Sequence, residues 1–579
     1  MNSLRTAKRF VFPLLAGWVL LYASFSLVKP PVLDGADAVN AEAAREMAVG
    51  GNWLVPHVNG VRLPQTPPLL IWMTAASFRL FGVSDRAARL PQELCALALL
   101  ALTLTLGSRL FLTPVAGFYG ALILLTSCGI FLFAHLLFPE LLLTLWLTLA
   151  MYFFWRSLRT PSWLTAAGFG AACALGVMSM GLAGVVLPVG VMVLFLFYTR
   201  NLSHLAHWKP AAGVGIFLLI VVPWLVAVYR ITPDHRSFTA PARILAKPPV
   251  LIFLAFVLVW IVPWFLFTLA SLGRLSARLF SGRTDLDHDD QALLLLVLWA
   301  GLVVVLYSFS SRREFLSLPA LPALGLLAAG WLAADERTPS RFARVVAWIL
   351  FVAGVLKAAV CVVVALREPV PAPGTDIATL LHLHPGEHRL FFGHLFDLTL
   401  ASMGFFRVPL LITAAAIAVG VTANLVFRLK GKARLANCFL AGMMGCFLIA
   451  AQLALNTFSP VVSSAILAEA IKPEVNASDV VVVNGRYEEA SALPFYLERP
   501  VKLLNARADV LAPWSFAPDA PPIFLDNSSL AALWSGPARV FLWTPVESVP
   551  ALTGPSYVVA SDGGREIVSN QPNNGGAAF

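Results

Sequence analysis

The sequence predicts an all-α polytopic membrane protein with a small α/β domain at its C-terminal end, and three observations predict it. Of 579 residues, 59% are hydrophobic and only 12% charged, against roughly 25% charged in a soluble domain. Apolar runs long enough to cross a bilayer core, about 20 residues each, recur along the chain to residue 457. Beyond that point the runs stop, and short β-rich pieces alternate with turn-rich stretches.

About thirteen apolar spans are expected, near 11–28, 92–112, 114–131, 141–155, 163–179, 182–199, 211–229, 249–272, 291–309, 315–333, 342–365, 407–427 and 437–457. The first follows Arg5, Lys8 and Arg9 and has no A-x-A cleavage site after it, so it reads as a transmembrane helix and not as a leader peptide. The short connections alternate in charge. Arg156 and Arg159, then Arg200 and Lys209, then Arg274, Arg278 and Arg283 all fall on one side. Arg337, Arg341 and Arg344, then Arg428, Lys430, Lys432 and Arg434 continue the pattern. The positive-inside rule makes that side cytoplasmic, together with the N-terminus. An odd count of spans then sends the C-terminal domain outside, into the periplasm if the membrane is a bacterial inner membrane. The same bias accounts for the net charge of +10. Nucleic acid is excluded as a partner, because no basic patch with interleaved aromatics occurs.

All six cysteines lie in apolar runs, with no C-x-x-C or metal-like spacing. They read as small buried hydrophobes.

Two outside segments are long. In residues 29–91, Pro67–Phe81 is too short to span and reads as an interfacial amphipathic helix. Residues 458–579 form the expected soluble domain, after a membrane domain of 1–457. Strands are expected at Val480–Val483, Val501–Leu504 and Val540–Trp543. Asn484-Gly485-Arg486-Tyr487-Glu488-Glu489 follows the first of them and is either a ligand-binding turn at a sheet edge or a plain turn. The tail Asn570–Ala578 is expected to be disordered.

The first outside loop gathers Asp34, Asp37, Glu42, Arg45 and Glu46 just past the opening span. Such residues are often merely solvated. They also suit a reaction at the membrane surface, where a carboxylate takes the proton of an attacking hydroxyl as a lipid phosphate leaves. That chemistry needs a cation or a helix terminus near the phosphate. No G-x-G-x-x-G, P-loop, G-x-S-x-G or H-E-x-x-H occurs, which removes the usual soluble enzyme classes.

The wording of the loop goes further. Asp34-Gly-Ala-Asp37, Ala41-Glu42-Ala-Ala-Arg45-Glu46-Met47 and Gly51-Asn-Trp53-Leu-Val-Pro56-His57-Val-Asn59-Gly60-Val-Arg62 follow one another, and Pro68-Leu-Leu-Ile-Trp72, Leu80-Phe81-Gly82 and Arg86-Ala-Ala-Arg89-Leu90-Pro91 complete the series. In order and spacing this resembles the first periplasmic loop of the aminoarabinose (lipid A) transferase and protein O-mannosyltransferase superfamily, glycosyltransferase families 39 and 83. Phe138-Pro139-Glu140, Gly181-Leu182-Ala183-Gly184 with Pro188, Pro223-Trp224, Pro263-Trp264 and Ser310-Ser311-Arg312-Arg313-Glu314-Phe315 resemble later segments of the same family.

The resemblance implies the GT-C fold, a sugar donor on polyprenyl phosphate, and inverting transfer to a glycan, lipid or protein acceptor. It implies membrane lipids as surroundings and no cofactor. The family's first-loop acid lies in an Asp-Glu pair. Without a gap from Arg45-Glu46-Met47, its Asp falls on Ala36 and its Glu on Asp37; a shift of one residue puts Asp37 on the Asp. Asp37 is taken as the base, Asp34 as the second choice, and Glu140 as the second-loop acid. Glu42 and Arg45 match directly. Two cations expected near the phosphate are missing, where Gln65-Thr66 replaces Glu-Lys and Met180 replaces Lys. No metal is therefore expected. Arg62, His57, His135, Arg243 and Lys247 are the candidates to compensate, and Arg312 and Arg313 at the end of a span are further phosphate ligands. Residues 231–248 read as a solvated loop or as a lid clamping the donor phosphate. The losses also leave open a degenerate member that binds lipid-linked sugar, or scaffolds an envelope complex, without catalysis. A transporter has little support, since intramembrane charges are few and no repeated half is visible.

Overall fold

The computed structural model describes residues 2–25, 30–64, 66–231, 249–280, 286–309, 314–382, 393–506, 511–515, 520–552 and 554–572. Helix α1 (Asn2–Trp18) passes through a π-helical turn, Val19–Ala23, to the first loop. That loop contains α2 (Ala36–Gly50), a hairpin of β1 (His57–Val58) and β2 (Val61–Arg62), and α3 (Leu69–Phe81). Asn59 and Gly60 form the hairpin turn with φ of 54° and 75°, the left-handed conformation that an Asn-Gly turn adopts readily.

The bundle begins with α4 (Asp85–Leu110), the bent pair α5 (Pro114–Leu125) and α6 (Cys128–Ala134), and α7 (Pro139–Ser157). It continues with α8 (Trp163–Met180), α9 (Ala183–Tyr198), the single turn α10 (His204–His207) and α11 (Pro210–Ile231). Then come α12 (Val250–Val259), α13 (Phe265–Phe280), α14 (His288–Phe309), a 3-10 turn at Glu314–Ala320 and α15 (Leu321–Arg337). The last are α16 (Arg341–Arg367), α17 (Arg407–Leu429) and α18 (Ala433–Val462). Local chemistry sets several starts. The Ser84 and Ser340 hydroxyls cap α4 and α16, Ser162 and Thr165 form a capping box on α8, and proline opens α5 and α7. The α8–α9 connection turns at Gly181 and Leu182. Gly184 there lies on the backbone of Gly176, so closely that a Cβ would meet the Gly176 carbonyl carbon at 2.0 Å.

Among the described residues, eight helices are long and apolar enough to cross a membrane, or nine with α5 and α6 taken as one span bent by 61°. About thirteen were expected. The four expected runs outside that count, 11–28, 141–155, 182–199 and 249–272, fall on helices as well, α1, α7, α9 and the pair α12 and α13, which miss the length or apolarity that the count requires. The run at 249–272 is α12 and α13, parted at Trp260–Trp264. The run at 182–199 is the 16-residue α9. The cysteine reading also needs correction. Cys95 and Cys173 are buried, but Cys438 and Cys446 are exposed on the bundle, since apolar helix faces in a membrane protein can face lipid.

The C-terminal part opens with α19 (Ala465–Ile471) and β3 (Val480–Asn484), followed by α20 (Ala492–Leu497) and β4 (Lys502–Leu504). It ends with β5 (Phe524–Leu525), α21 (Asn527–Trp534), β6 (Val540–Pro545), β7 (Tyr557–Asp562) and β8 (Arg565–Ser569). The sheet order is β5-β4-β3-β6-β8-β7. The first four strands are parallel and β8 and β7 antiparallel. The three expected strands are β3, β4 and β6. The β7–β8 hairpin was not expected, although its Asp562-Gly563-Gly564 turn is a hairpin signal. The tail is also corrected at its start. Asn570 accepts from the Val540 amide at 2.9 Å and donates to Trp534 and Ala538 carbonyls at 3.0 Å; residues 573–578 lie outside the described set. Helix α18 runs to Val462, past the expected domain boundary at residue 457.

Candidate functional site

The site lies at the end of the bundle opposite the basic connections, where the loop His135 to Phe138 hands over to α7. Side chains of α2 and α4 hold that loop. Arg89 Nε donates to the His135 carbonyl at 2.9 Å, and Gln92 Nε2 donates to the Leu136 and Phe138 carbonyls. Asn40 Nδ2 donates to the Leu137 carbonyl at 2.8 Å. Asp37 Oδ1 accepts from the Leu137 amide at 2.7 Å, and Oδ2 accepts from the Leu33 amide at 2.9 Å. Two residues further on, Glu140 occupies the first turn of α7, 3% exposed. The N-terminal end of a helix is favourable ground for a carboxylate.

Asp37 is fully buried and each of its oxygens takes a backbone amide. Burial pushes its carboxyl above the ordinary range, opposed by the Arg89 guanidinium and both amides. Its neighbour Ala36, the first residue of α2, is exposed. Helix α2 is continuous from Ala36 to Gly50 and carries both Asp37 and Arg45.

Asp34 is held by the other end of the chain. Its Oδ2 accepts from Arg565 Nη1 and from the Ser464 hydroxyl, both at 2.8 Å, and its Oδ1 accepts from the Ala492 amide at 2.8 Å. Around it, the Gly35 amide donates to the Ser491 hydroxyl at 2.8 Å, and the Val32 amide donates to the Tyr496 hydroxyl at 2.8 Å. Tyr496 in turn donates to Asp85 at 2.6 Å. Asp34 thus joins the first loop to the sheet and does not face an open cleft.

The remaining expected residues divide. Glu42 and Arg45 form a bidentate pair on α2, at 2.7 and 2.6 Å. His57 and Arg62 face each other across the β1–β2 ladder, and His57 Nδ1 lies 2.9 Å from the Val55 carbonyl. His135 does not serve as a cation here. Its ring stacks on Phe25 at 3.8 Å between centroids, and burial, with Arg89 nearby, holds its pKa down to about 3, so the imidazole is neutral. Arg243, Lys247, Arg312 and Arg313 lie outside the described residues, as does the loop 232–248. Among the described residues no group of three or more His, Cys, Asp or Glu could hold a metal ion.

Sequence reasoning assigned no role to Asn40, Arg89 or Gln92. Arg89 fell in the first loop by that reading, because the expected span began at residue 92, whereas α4 begins at Asp85 and puts Arg89, Gln92 and Glu93 at helical spacing.

The comparisons agree with this architecture. A family described as dolichyl-phosphate-mannose-protein mannosyltransferase matches residues 65–226. The undecaprenyl phosphate-alpha-4-amino-4-deoxy-L-arabinose arabinosyl transferase of Aeromonas salmonicida is 28% identical over 362 residues, 60% of this chain and 64% of that protein. The protein of the same name from Edwardsiella ictaluri is 28% identical over 341 residues, 55% of this chain and 60% of its own length. The chain thus spans less than two thirds of these relatives. Among solved structures, ArnT from Cupriavidus metallidurans bound to undecaprenyl phosphate superposes with a TM-score of 0.78 at 22% identity, covering 98% of both chains. Its apo state gives the same score and covers 99% of both. At that identity the likeness establishes the fold.

Proposed function

For a chain of the GT-C glycosyltransferase type, akin to aminoarabinose transferases and protein mannosyltransferases, we propose transfer of a sugar from a polyprenyl-phosphate donor to a lipid A, glycan or protein acceptor at the extracytoplasmic face. The basic connections mark the cytoplasmic end by the positive-inside rule, which sends the first loop and the C-terminal sheet outside. In this reading residues 1–457 form the transferase unit and 458–579 a cap upon it. The carrying observation is a buried carboxylate, Glu140, delivered to the outer mouth of the bundle by a loop held along its length. Glu140 is the general base or acceptor-orienting group in this proposal. Asp37, with both oxygens committed to amides, holds the loop that aims it. The test is transfer of radiolabelled sugar from undecaprenyl phosphate-4-amino-4-deoxy-L-arabinose, and from other undecaprenyl-phosphate sugars, by the purified protein in nanodiscs. Glu140→Gln is expected to cut turnover at least about 100-fold, within the usual range for a lost general base, with binding of bare undecaprenyl phosphate retained. Full turnover in Glu140→Gln removes the assignment.

One observation favours a second reading, in which the protein binds lipid-linked sugar without catalysis. Aligned without a gap, the family's first-loop Asp falls on Ala36, which is exposed, and neither Thr66 nor Met180 restores the missing cations. Saturable donor binding with no turnover on any acceptor class establishes that reading.

A further inference from the structure

Helices α17 and α18 pack against each other but leave a concave strip on the outside of the bundle. A groove of about 650 Å³ runs between them, lined by Ile412, Ala416 and Gly420 on α17 and by Cys438, Gly442 and Cys446 on α18, among others. Small residues make it concave. Gly420 lets α17 settle onto α18, where a Cβ would meet the Met443 Cβ at 2.4 Å. Gly442 leaves open space, with nothing within 4 Å of a Cβ. The lining is hydrophobic side chains, glycine and cysteine throughout. It suits a hydrocarbon chain, which restores the dispersion contacts that an open void loses.

Two features point to the occupant. The first is charge. The connection from α17 to α18 carries exposed Lys430, Lys432 and Arg434. Arg434 is engaged by Glu336, so the two lysines are the cations that a ligand would meet. Lys430 follows Ile412 by about five helical turns, and Arg434 precedes Cys438 by about one, so both lie on the face of their helix that lines the groove. The second feature is depth. Cys446 stands about 18 Å along α18 from Arg434, and one leaflet of a bilayer core is about 15 Å deep. The groove therefore stops near the middle of the membrane, while α18 runs on to Val462. A partner's spanning helix would need a seat through both leaflets. A lipid of one leaflet ends where the groove ends.

We infer that this groove binds an anionic phospholipid, with one acyl chain along α17 and α18 and the phosphate at Lys430 and Lys432. Basic clusters beside membrane spans attract anionic headgroups. The site lies at the opposite end of the bundle from Glu140 and does not rest on the transferase reading.

The test uses the purified protein in phosphatidylcholine nanodiscs with a trace of phosphatidylglycerol carrying a diazirine at the end of one acyl chain. After illumination, peptide mapping locates the adducts. They are expected on residues 412–420 and 438–446, and excess plain phosphatidylglycerol, but not phosphatidylcholine, should remove them. Lys430→Gln and Lys432→Gln should each lower this labelling about 5-fold at low ionic strength, and both positions are exposed, so the fold does not depend on them. Gly442→Phe fills the groove and should abolish labelling there. A phosphatidylcholine probe that labels equally well, or labelling unchanged in the doubly substituted lysine variant, shows ordinary surrounding lipid and overturns the assignment. Displacement by undecaprenyl phosphate in preference to phosphatidylglycerol gives the groove to the carrier and overturns it too. So does cross-linking of Cys438 between two copies with the groove unlabelled.

Discussion

Glu46 shows how one side chain on α2 couples charge to shape. Both of its carboxylate oxygens lie 3.2 Å from the Gly60 amide at the tip of the β1–β2 hairpin. Burial first, and the neighbouring Glu42 second, push its carboxyl up to about 7. An acid raised in the folded state favours folding while it is protonated. That contribution is full below the ordinary value of 4.5 and is lost as pH climbs through about 7. The fold should therefore lose stability between pH 5 and pH 8 as a buried charge forms beside Glu42, even though the Gly60 amide itself favours the ionised carboxylate. Glu46→Gln stays neutral and keeps an acceptor for the amide, so its melting temperature should be flatter than wild type over that interval. An equal pH slope in the two proteins rejects the coupling. None of this was legible in the sequence, where Glu46 was one more surface acid beside Glu42 and Arg45. Only the fold brings the Asn59-Gly60 turn back over α2.

At the scale of elements, the loop from His135 to Phe138 is a rigid bracket. It is short, it follows the bend of α5 into α6, and polar side chains from two other helices grip its backbone. Asp37 supplies the only carboxylate in that grip among the described residues. In Asp37→Asn, one amide keeps an acceptor while the other meets an NH2 group. The expected cost is about 1–3 kcal/mol, that of a buried group left unsatisfied. Hydrogen exchange at Leu137 and Phe138 should rise together with a fall in melting temperature. A variant that loses turnover at unchanged stability would instead mark Asp37 as the chemical base. The sequence gives a fair account of this level. Hydropathy placed most helices, because burial in lipid leaves a compositional trace. The first-loop words led to the acids. Hydropathy could not say where a helix breaks, and the words could not say which acid carries load and which is presented.

For the whole molecule, the sheet is fastened to the first loop at several points. Asp34 takes Arg565, Ser464 and the Ala492 amide, and Asn59 exchanges two hydrogen bonds with the Val501 backbone at 2.9 and 2.8 Å. The Asp34–Arg565 pair is largely shielded, with side chains 7% and 14% exposed. Removing one partner of such a pair leaves a charge stranded and costs about 3–5 kcal/mol. Arg565→Met should therefore melt well below wild type, with Arg565→Lys in between. A Met variant as stable as wild type would show that the fastening is dispensable. The β-rich composition announced the sheet, but nothing local announced its seat, because Asp34 and Arg565 are 531 positions apart.

That separation has a consequence for how the protein is made. Ribosomes add roughly 5–20 residues each second. Asp34 emerges about half a minute to two minutes before the arginine that neutralises it. Throughout that interval the nascent chain holds an unfinished mouth with a stranded acid. Only arrival of the final strand completes it, so a polypeptide cut short by a premature stop would sit in the bilayer without a finished entrance.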